Sequence, residues 1–158
     1  MALSKGVNSY VTLADAEAYF VDRLDVAAWT EATDPEKEKA LVTATAVLDE
    51  LFWTGIAVIA SQPLAWPRLG SYYDPKVGTM IALDNTVPTR IINATYEQAY
   101  HLLNNDGLFD DVGGAKSIDL GDISLTNITK ASKLSLIVDR LTRPLLVNSG
   151  ASLWWRAN

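Results

Sequence analysis

The chain has 158 residues and a mass of 17.2 kDa, a size that suits one domain with a single core. Hydrophobic residues make up 49%, charged residues 20%, and the mean hydropathy is +0.09, which excludes a disordered solvating chain and a membrane-spanning one. Its longest apolar run, Ile56 to Ala60, falls far short of the ~20 residues a bilayer requires, and the N-terminus turns polar at Ser4, Lys5 and Asn8. Neither secretion nor membrane insertion is expected.

Cysteine is absent and histidine occurs once, at His101. Disulfide frameworks, thiolate metal sites and cysteine nucleophiles are thereby excluded, as are multi-histidine metal centres. Formal charge is −6, from 13 basic and 19 acidic residues, but it is unevenly placed. From Lys130 onward five basic residues (Lys130, Lys133, Arg140, Arg143, Arg156) face Asp139 alone, a net of +4. Residues 1–129 hold eight basic and 18 acidic groups, a net of −10. An acidic body repels a phosphate backbone, so general DNA binding is disfavoured.

In chain order, Thr12 is a good N-cap for a helix over Leu13 to Arg23, whose Leu13, Ala16, Tyr19 and Phe20 form one stripe. Val26 to Thr30 adds a short turn carrying Trp29. Asp34-Pro35-Glu36 starts a second long helix running to about Trp53, with Ala40, Leu41, Ala44, Val47, Leu48, Leu51 and Phe52 on its apolar face and Gly55 placed for a left-handed cap. Residues 56–87 read as a long irregular connection broken by Pro63, Pro67, Gly70, Pro75 and Gly78. Val87-Pro88 opens a third helix, central to the core, that stops at Asn105-Asp106-Gly107. Ile118, Leu120, Ile123 and Leu125 alternate around Gly121-Asp122, the pattern of a short extended ribbon or hairpin near 117–127. Lys133 to Val147 returns to helical spacing, with Pro144 kinking or ending it early. Asn148-Ser149-Gly150 then breaks the chain. The expected fold is therefore all-α: a small helical bundle with long irregular loops, that ribbon and an extended C-terminal tail. It divides into a helical domain, 1–148, and a docking tail, 149–158.

No catalytic residue, cofactor site or metal site emerges. His101 has Tyr100, Glu97 and Asn104 within a turn but no nucleophile beside it, and reads as a packing or surface residue. Asp110-Asp111 and the Asp119/Asp122 pair lack the spacing of a calcium loop and read as solvated acids. Gly113-Gly114-Ala115-Lys116 lacks a phosphate-loop frame. Trp29 and Trp53 fit core positions better than base-stacking platforms. Leu153-Trp154-Trp155-Arg156 differs, since it follows a glycine break and joins two large aromatics to a cation, the residue types that concentrate interface energy. It either docks on a partner or folds back on its own domain.

Taken together, residues 8–20 (Asn-Ser-Tyr-Val-Thr-Leu-Ala-Asp-Ala-Glu-Ala-Tyr-Phe), Trp29, the Lys37 to Glu50 helix, Trp53-Thr54-Gly55 and Gln62-Pro-Leu-Ala-Trp-Pro-Arg68 resemble the head-tail connector, or head-completion adaptor, proteins of tailed bacteriophages. Some members of that group carry the label of DnaT-like single-stranded DNA-binding proteins. The resemblance spans most of residues 8–104, with only the layout matching beyond residue 105, and Leu64-Ala65-Trp66-Pro67-Arg68 is its most specific piece. It implies an all-α, non-enzymatic virion protein of the neck, present in the host cytoplasm during assembly. Such a protein forms a ring, commonly of twelve copies, below the portal and extends the DNA channel toward the tail.

The partners so implied are the portal protein, neighbouring copies and a downstream tail-completion, stopper or terminator protein, with double-stranded DNA passing non-specifically through the channel and no membrane. The portal contact falls by position on Leu153, Trp154, Trp155 and Arg156. Trp66, Pro67 and Arg68 lie either at a subunit interface or as a brace against their own bundle. Ile118, Leu120, Ile123 and Leu125 are further interface candidates, and Asp119 and Asp122 are candidates for a channel face on which DNA slides without sticking. A single-stranded DNA-binding or replication-accessory protein, using Trp66, Arg68 and the tail as stacking sites, is the alternative expectation.

Overall fold

A computed structural model describes residues 2–104 and 134–147, together with two strands at 117–119 and 124–126 whose backbone alone is described. Helix α1 (Leu13–Val21) begins at Thr12, whose Oγ1 accepts from the Asp15 amide at 3.1 Å. It ends two residues before the expected Arg23. The turn carrying Trp29 is helix α2 (Ala27–Glu31). Helix α3 (Asp34–Asp49) starts one residue earlier than Asp34-Pro35 suggested, because Thr33 is the cap. Thr33 and Glu36 close a capping box, with the Thr33 amide donating to Glu36 Oε2 at 2.8 Å, and this pair outcompetes Asp34 as the start signal. Helix α4 (Thr89–Asn104) packs against α2, α3 and helix α5 (Leu136–Thr142), with Ile91, Ala94, Thr95, Gln98 and Ala99 buried at the centre. Pro144 ends α5 early, in a 3-10 turn over Arg143–Leu145.

The all-α expectation is overturned between residues 56 and 87. In place of an irregular connection the chain forms a three-stranded antiparallel sheet: β1 (Ile56–Ala57), β2 (Arg68–Asp74) and β3 (Thr79–Asp84), in the order β1-β2-β3. The fold is mixed, helices packed with a small sheet. Of the residues that suggested breakage, Pro63, Pro67, Pro75 and Gly78 lie in the connections, while Gly70 is accommodated within β2 opposite Leu83. Pro75 and Gly78 lie in the β2–β3 turn, where Gly78 has φ +77° and its amide donates to the Asp74 carbonyl at 2.7 Å. Gly55 does adopt the left-handed conformation, φ +74°, but as a close-approach point rather than a helix cap. A Cβ there would sit 2.3 Å from the Leu69 carbonyl oxygen.

The ribbon is present: β4 (Ser117–Asp119) and β5 (Ser124–Thr126) pair antiparallel with Ile118 opposite Leu125. At the other end of the described chain, residues 145–147 run beside 52–54. The Thr54 amide donates to the Leu145 carbonyl at 2.8 Å, and the Val147 amide to the Phe52 carbonyl at 2.9 Å. The core gathers Phe20, Trp29, Leu41, Leu48, Trp53, Trp66, Ile91, Val138 and Leu145 between the helices and the inner face of the sheet.

Candidate interaction surface

The residues with the most conspicuous chemistry in the sequence are largely consumed by the fold. Trp66 is 2% exposed and meets Trp53 edge to face, with ring centroids 5.5 Å apart. Arg68 turns its guanidinium back onto its own chain, with Nε donating to the Thr54 carbonyl at 2.8 Å and Nη2 to the Gly55 carbonyl at 2.7 Å. Gln62 closes the same segment by donating to the carbonyls of Leu64, at 2.7 Å, and Pro67, at 3.0 Å. Pro67, partly exposed, follows a cis peptide bond. The Trp66-Pro67-Arg68 segment thus braces its own bundle, and the Trp66 ring offers no accessible face to a second molecule.

Asp49 ties this clasp to the N-terminal segment. Its carboxylate accepts from the Tyr10 hydroxyl and from the Ala65 amide, the latter at 3.3 Å. Burial raises the Asp49 pKa above the ordinary carboxylate value, against the lowering effect of those two hydrogen bonds. The Tyr10 phenol is pushed far up, first by burial and then by the Asp49 carboxylate.

Several charged side chains of the body are likewise engaged with one another. Arg23 pairs with the buried Glu97, with its Nη2 3.0 Å from Oε2, and the Tyr19 hydroxyl donates to the same carboxylate. Lys37 is only 7% exposed, pairs with Glu17 at 2.7 Å and lies over the Trp29 ring. Arg90 forms a two-pronged pair with Asp74, at 2.9 and 2.6 Å. Those hydrogen bonds hold the Asp74 carboxyl well below the usual aspartate value, despite its burial. The pair lies in an open cleft of about 600 Å³ between the hairpin, α4 and Leu141 of α5.

His101 is partly buried on α4, which pushes its pKa below the ordinary imidazole value. No cluster of three or more His, Cys, Asp or Glu residues suited to a metal ion occurs among the described residues. No described helix is long and apolar enough to cross a membrane.

Several large apolar side chains are also left at the surface. Phe52 is 84% exposed beside Val147, and with Leu51 and Leu146 these residues line a groove of about 440 Å³. The hairpin adds Tyr73, Val77 and Met80, each more than half exposed, while Ile56 and Ile59 continue the apolar surface around β1. Sequence reasoning missed this surface because the hairpin itself was missed. The signal was Leu69, Tyr73 and Met80 flanking an Asp-Pro-x-x-Gly turn. Of the expected interface residues, Ile118 and Leu125 lie directly opposite each other in the ribbon, and the channel-face candidate Asp119 pairs with Ser124. Leu120, Asp122, Ile123 and the tail residues Leu153, Trp154, Trp155 and Arg156 lie outside the described residues.

No curated protein and no solved structure matches the chain. One family model does, over residues 2–156, and its description reads "Putative DnaT-like ssDNA binding protein". With nearly its whole length matched, the chain belongs to that DnaT-like family.

Proposed function

We propose that this protein is a structural adaptor of a tailed bacteriophage, a ring-forming subunit that sits below the portal in the neck and carries the DNA channel toward the tail. The observation that carries this reading is the division of labour among its aromatic and apolar residues. Trp29, Trp53, Trp66, Tyr10, Tyr72 and Tyr96 are all buried, so the body keeps few stacking surfaces. Many of its exposed apolar side chains lie on the sheet and around Phe52, with others at Val7, Val21, Leu24, Leu136 and Ile137, and clustered apolar surface is the kind that protein partners cover. An acidic body, net −10 over residues 1–129, suits proximity to passing DNA without adhesion. Under this reading Leu153, Trp154, Trp155 and Arg156 dock on the portal. Deleting residues 149–158 leaves the mixed helix-and-sheet body folded and abolishes portal binding; truncated protein that joins portal rings at full affinity contradicts the tail assignment.

The family description favours a second reading, a single-stranded DNA-binding protein. In that case the stacking groups would be Phe52, Tyr73 and the tail aromatics, since Trp66 and Arg68 are engaged internally. Binding to short single strands that weakens steeply with salt supports this reading over the adaptor.

A further inference from the structure

Strand β3 is an edge: it pairs with β2 on one side and with no strand of the described chain on the other. Proteins usually blunt such edges with lysine, proline or a bulge. Lysine, proline and bulge are all absent from β3, whose one charge is Asp84 at its C-terminal end and whose register with β2 runs unbroken from Leu69↔Asp84 to Asp74↔Thr79.

The outward face of the same sheet is largely apolar, with Ser71 and Asp84 as its polar members. Tyr72, Asp74 and Leu83 point inward and are buried. Outward lie Ile56, Leu69, Tyr73 and Met80, 68%, 40%, 55% and 58% exposed, together with Ser71, Ala82 and Asp84. Tyr73 and Met80 border a cleft shared with Arg143, Pro144, Leu146 and Val147. An antiparallel sheet with one free face ordinarily presents polar residues there. The four large apolar side chains offer on the order of 400 Å², about half of the ~800 Å² each partner contributes to a standard interface, and strand pairing along β3 adds to it.

The β4–β5 ribbon has the complementary need. It is a separate two-stranded unit of three-residue strands, and such a unit is marginal in water without a third strand or a packed face. Its register sets Ile118 opposite Leu125, Ser117 opposite Thr126 and Asp119 opposite Ser124.

We infer that the free edge of β3 and the apolar outer face of its sheet receive the β4–β5 ribbon of a neighbouring copy of this chain, extending the sheet across the subunit boundary. The contact joins two different surfaces, so it is head-to-tail and closes into a ring when the rotation permits. This inference rests on the adaptor reading and names its subunit contact.

The absence of cysteine makes the test clean. Full-length chains carrying Ala82→Cys, an exposed position on β3, are mixed with chains carrying Ser117→Cys or Thr126→Cys, which sample the two strands of the ribbon. The mixture is assembled and oxidised. Disulfide-linked pairs containing one chain of each kind are expected for at least one ribbon position, with far less product from either variant alone. Ala82→Lys, which charges the edge without touching the core, should weaken ring formation at least tenfold while leaving thermal stability unchanged. Rings that assemble without mixed pairs and tolerate Ala82→Lys overturn this contact and leave the adaptor reading standing. A linkage formed only within a doubly substituted chain overturns the exchange between copies. Failure to form rings with or without the portal overturns both.

Discussion

Trp66 and Trp53 meet at 70° with their ring centroids 5.5 Å apart, and Trp53 donates its indole N–H to the Leu48 carbonyl at 3.1 Å. The most specific segment of the sequence is thereby joined to the C-terminal end of α3. Trp66 acts as a wedge between the clasp of residues 53–68 and the helices, not as a platform for bases. Trp66→Ala should lower stability by about 3–5 kcal/mol, the scale of emptying a buried aromatic site. Urea unfolding followed by circular dichroism measures this, and a loss below about 1 kcal/mol would show that the ring is not a core element.

Gly55 offers a sharper test of the sheet. Its positive φ and the Leu69 carbonyl oxygen 2.3 Å from any added Cβ both oppose a side chain. Gly55→Ala should cost more than about 1 kcal/mol, whereas Gly6→Ala, which has the same backbone sign but no atom within 4 Å, should cost less. Equal thermal shifts for the two variants would refute the close approach of β1 and β2.

The Asp74–Arg90 pair fastens the hairpin to α4. Removing one partner leaves a buried charge, so Arg90→Ala should cost about 3 kcal/mol near neutral pH. Because the folded-state pKa of Asp74 is depressed, its stabilisation is present above the ordinary aspartate value of about 3.9 and is lost as pH falls through the depressed value. The gap between wild type and Arg90→Ala, read from denaturation midpoints, should be widest at neutral pH and shrink below pH ~4. A gap that widens with acid contradicts the pairing.

Four buried or half-buried phenols, Tyr10, Tyr19, Tyr72 and Tyr96, are raised above the ordinary tyrosine value, each first by burial. Tyr19 and Tyr96 reach about 12. A raised folded-state pKa contributes stability below the unfolded value of about 10 and loses it as pH rises through the folded one. Stability should therefore decline between pH ~10 and ~12, with phenolate absorbance of the native chain lagging that of urea-unfolded chain. Coincident absorbance titrations would place these hydroxyls in water.

The helices were legible because their signals are local. The stripes of α1 and α4, the Thr12 cap and the Pro144 stop all lie within a turn or two of what they specify. The sheet was not, because its inner face alternates Gly70, Tyr72 and Asp74, and a charged residue at an inward position masks the period. Asp74 is acceptable there only through Arg90, sixteen residues away and on another element. Arg68 shows the same limit: its side chain suggests a binding group until its partner carbonyls at Thr54 and Gly55 are known. The start of α3 was misplaced for a smaller reason, since Thr33 and Asp34 are both good caps and only the reach of Glu36 decides between them. The paired ribbon was visible in its alternation, but its partner is not specified by its own sequence.

Electron microscopy of the purified chain mixed with a tailed-phage portal protein, the partner the adaptor proposal requires, tests the central claim most directly. The adaptor account predicts an added annulus of density on the tail-facing side of the portal, lost when residues 149–158 are removed. Bare portals in the presence of excess chain, with tight and salt-sensitive binding of that chain to short single-stranded DNA, would contradict it.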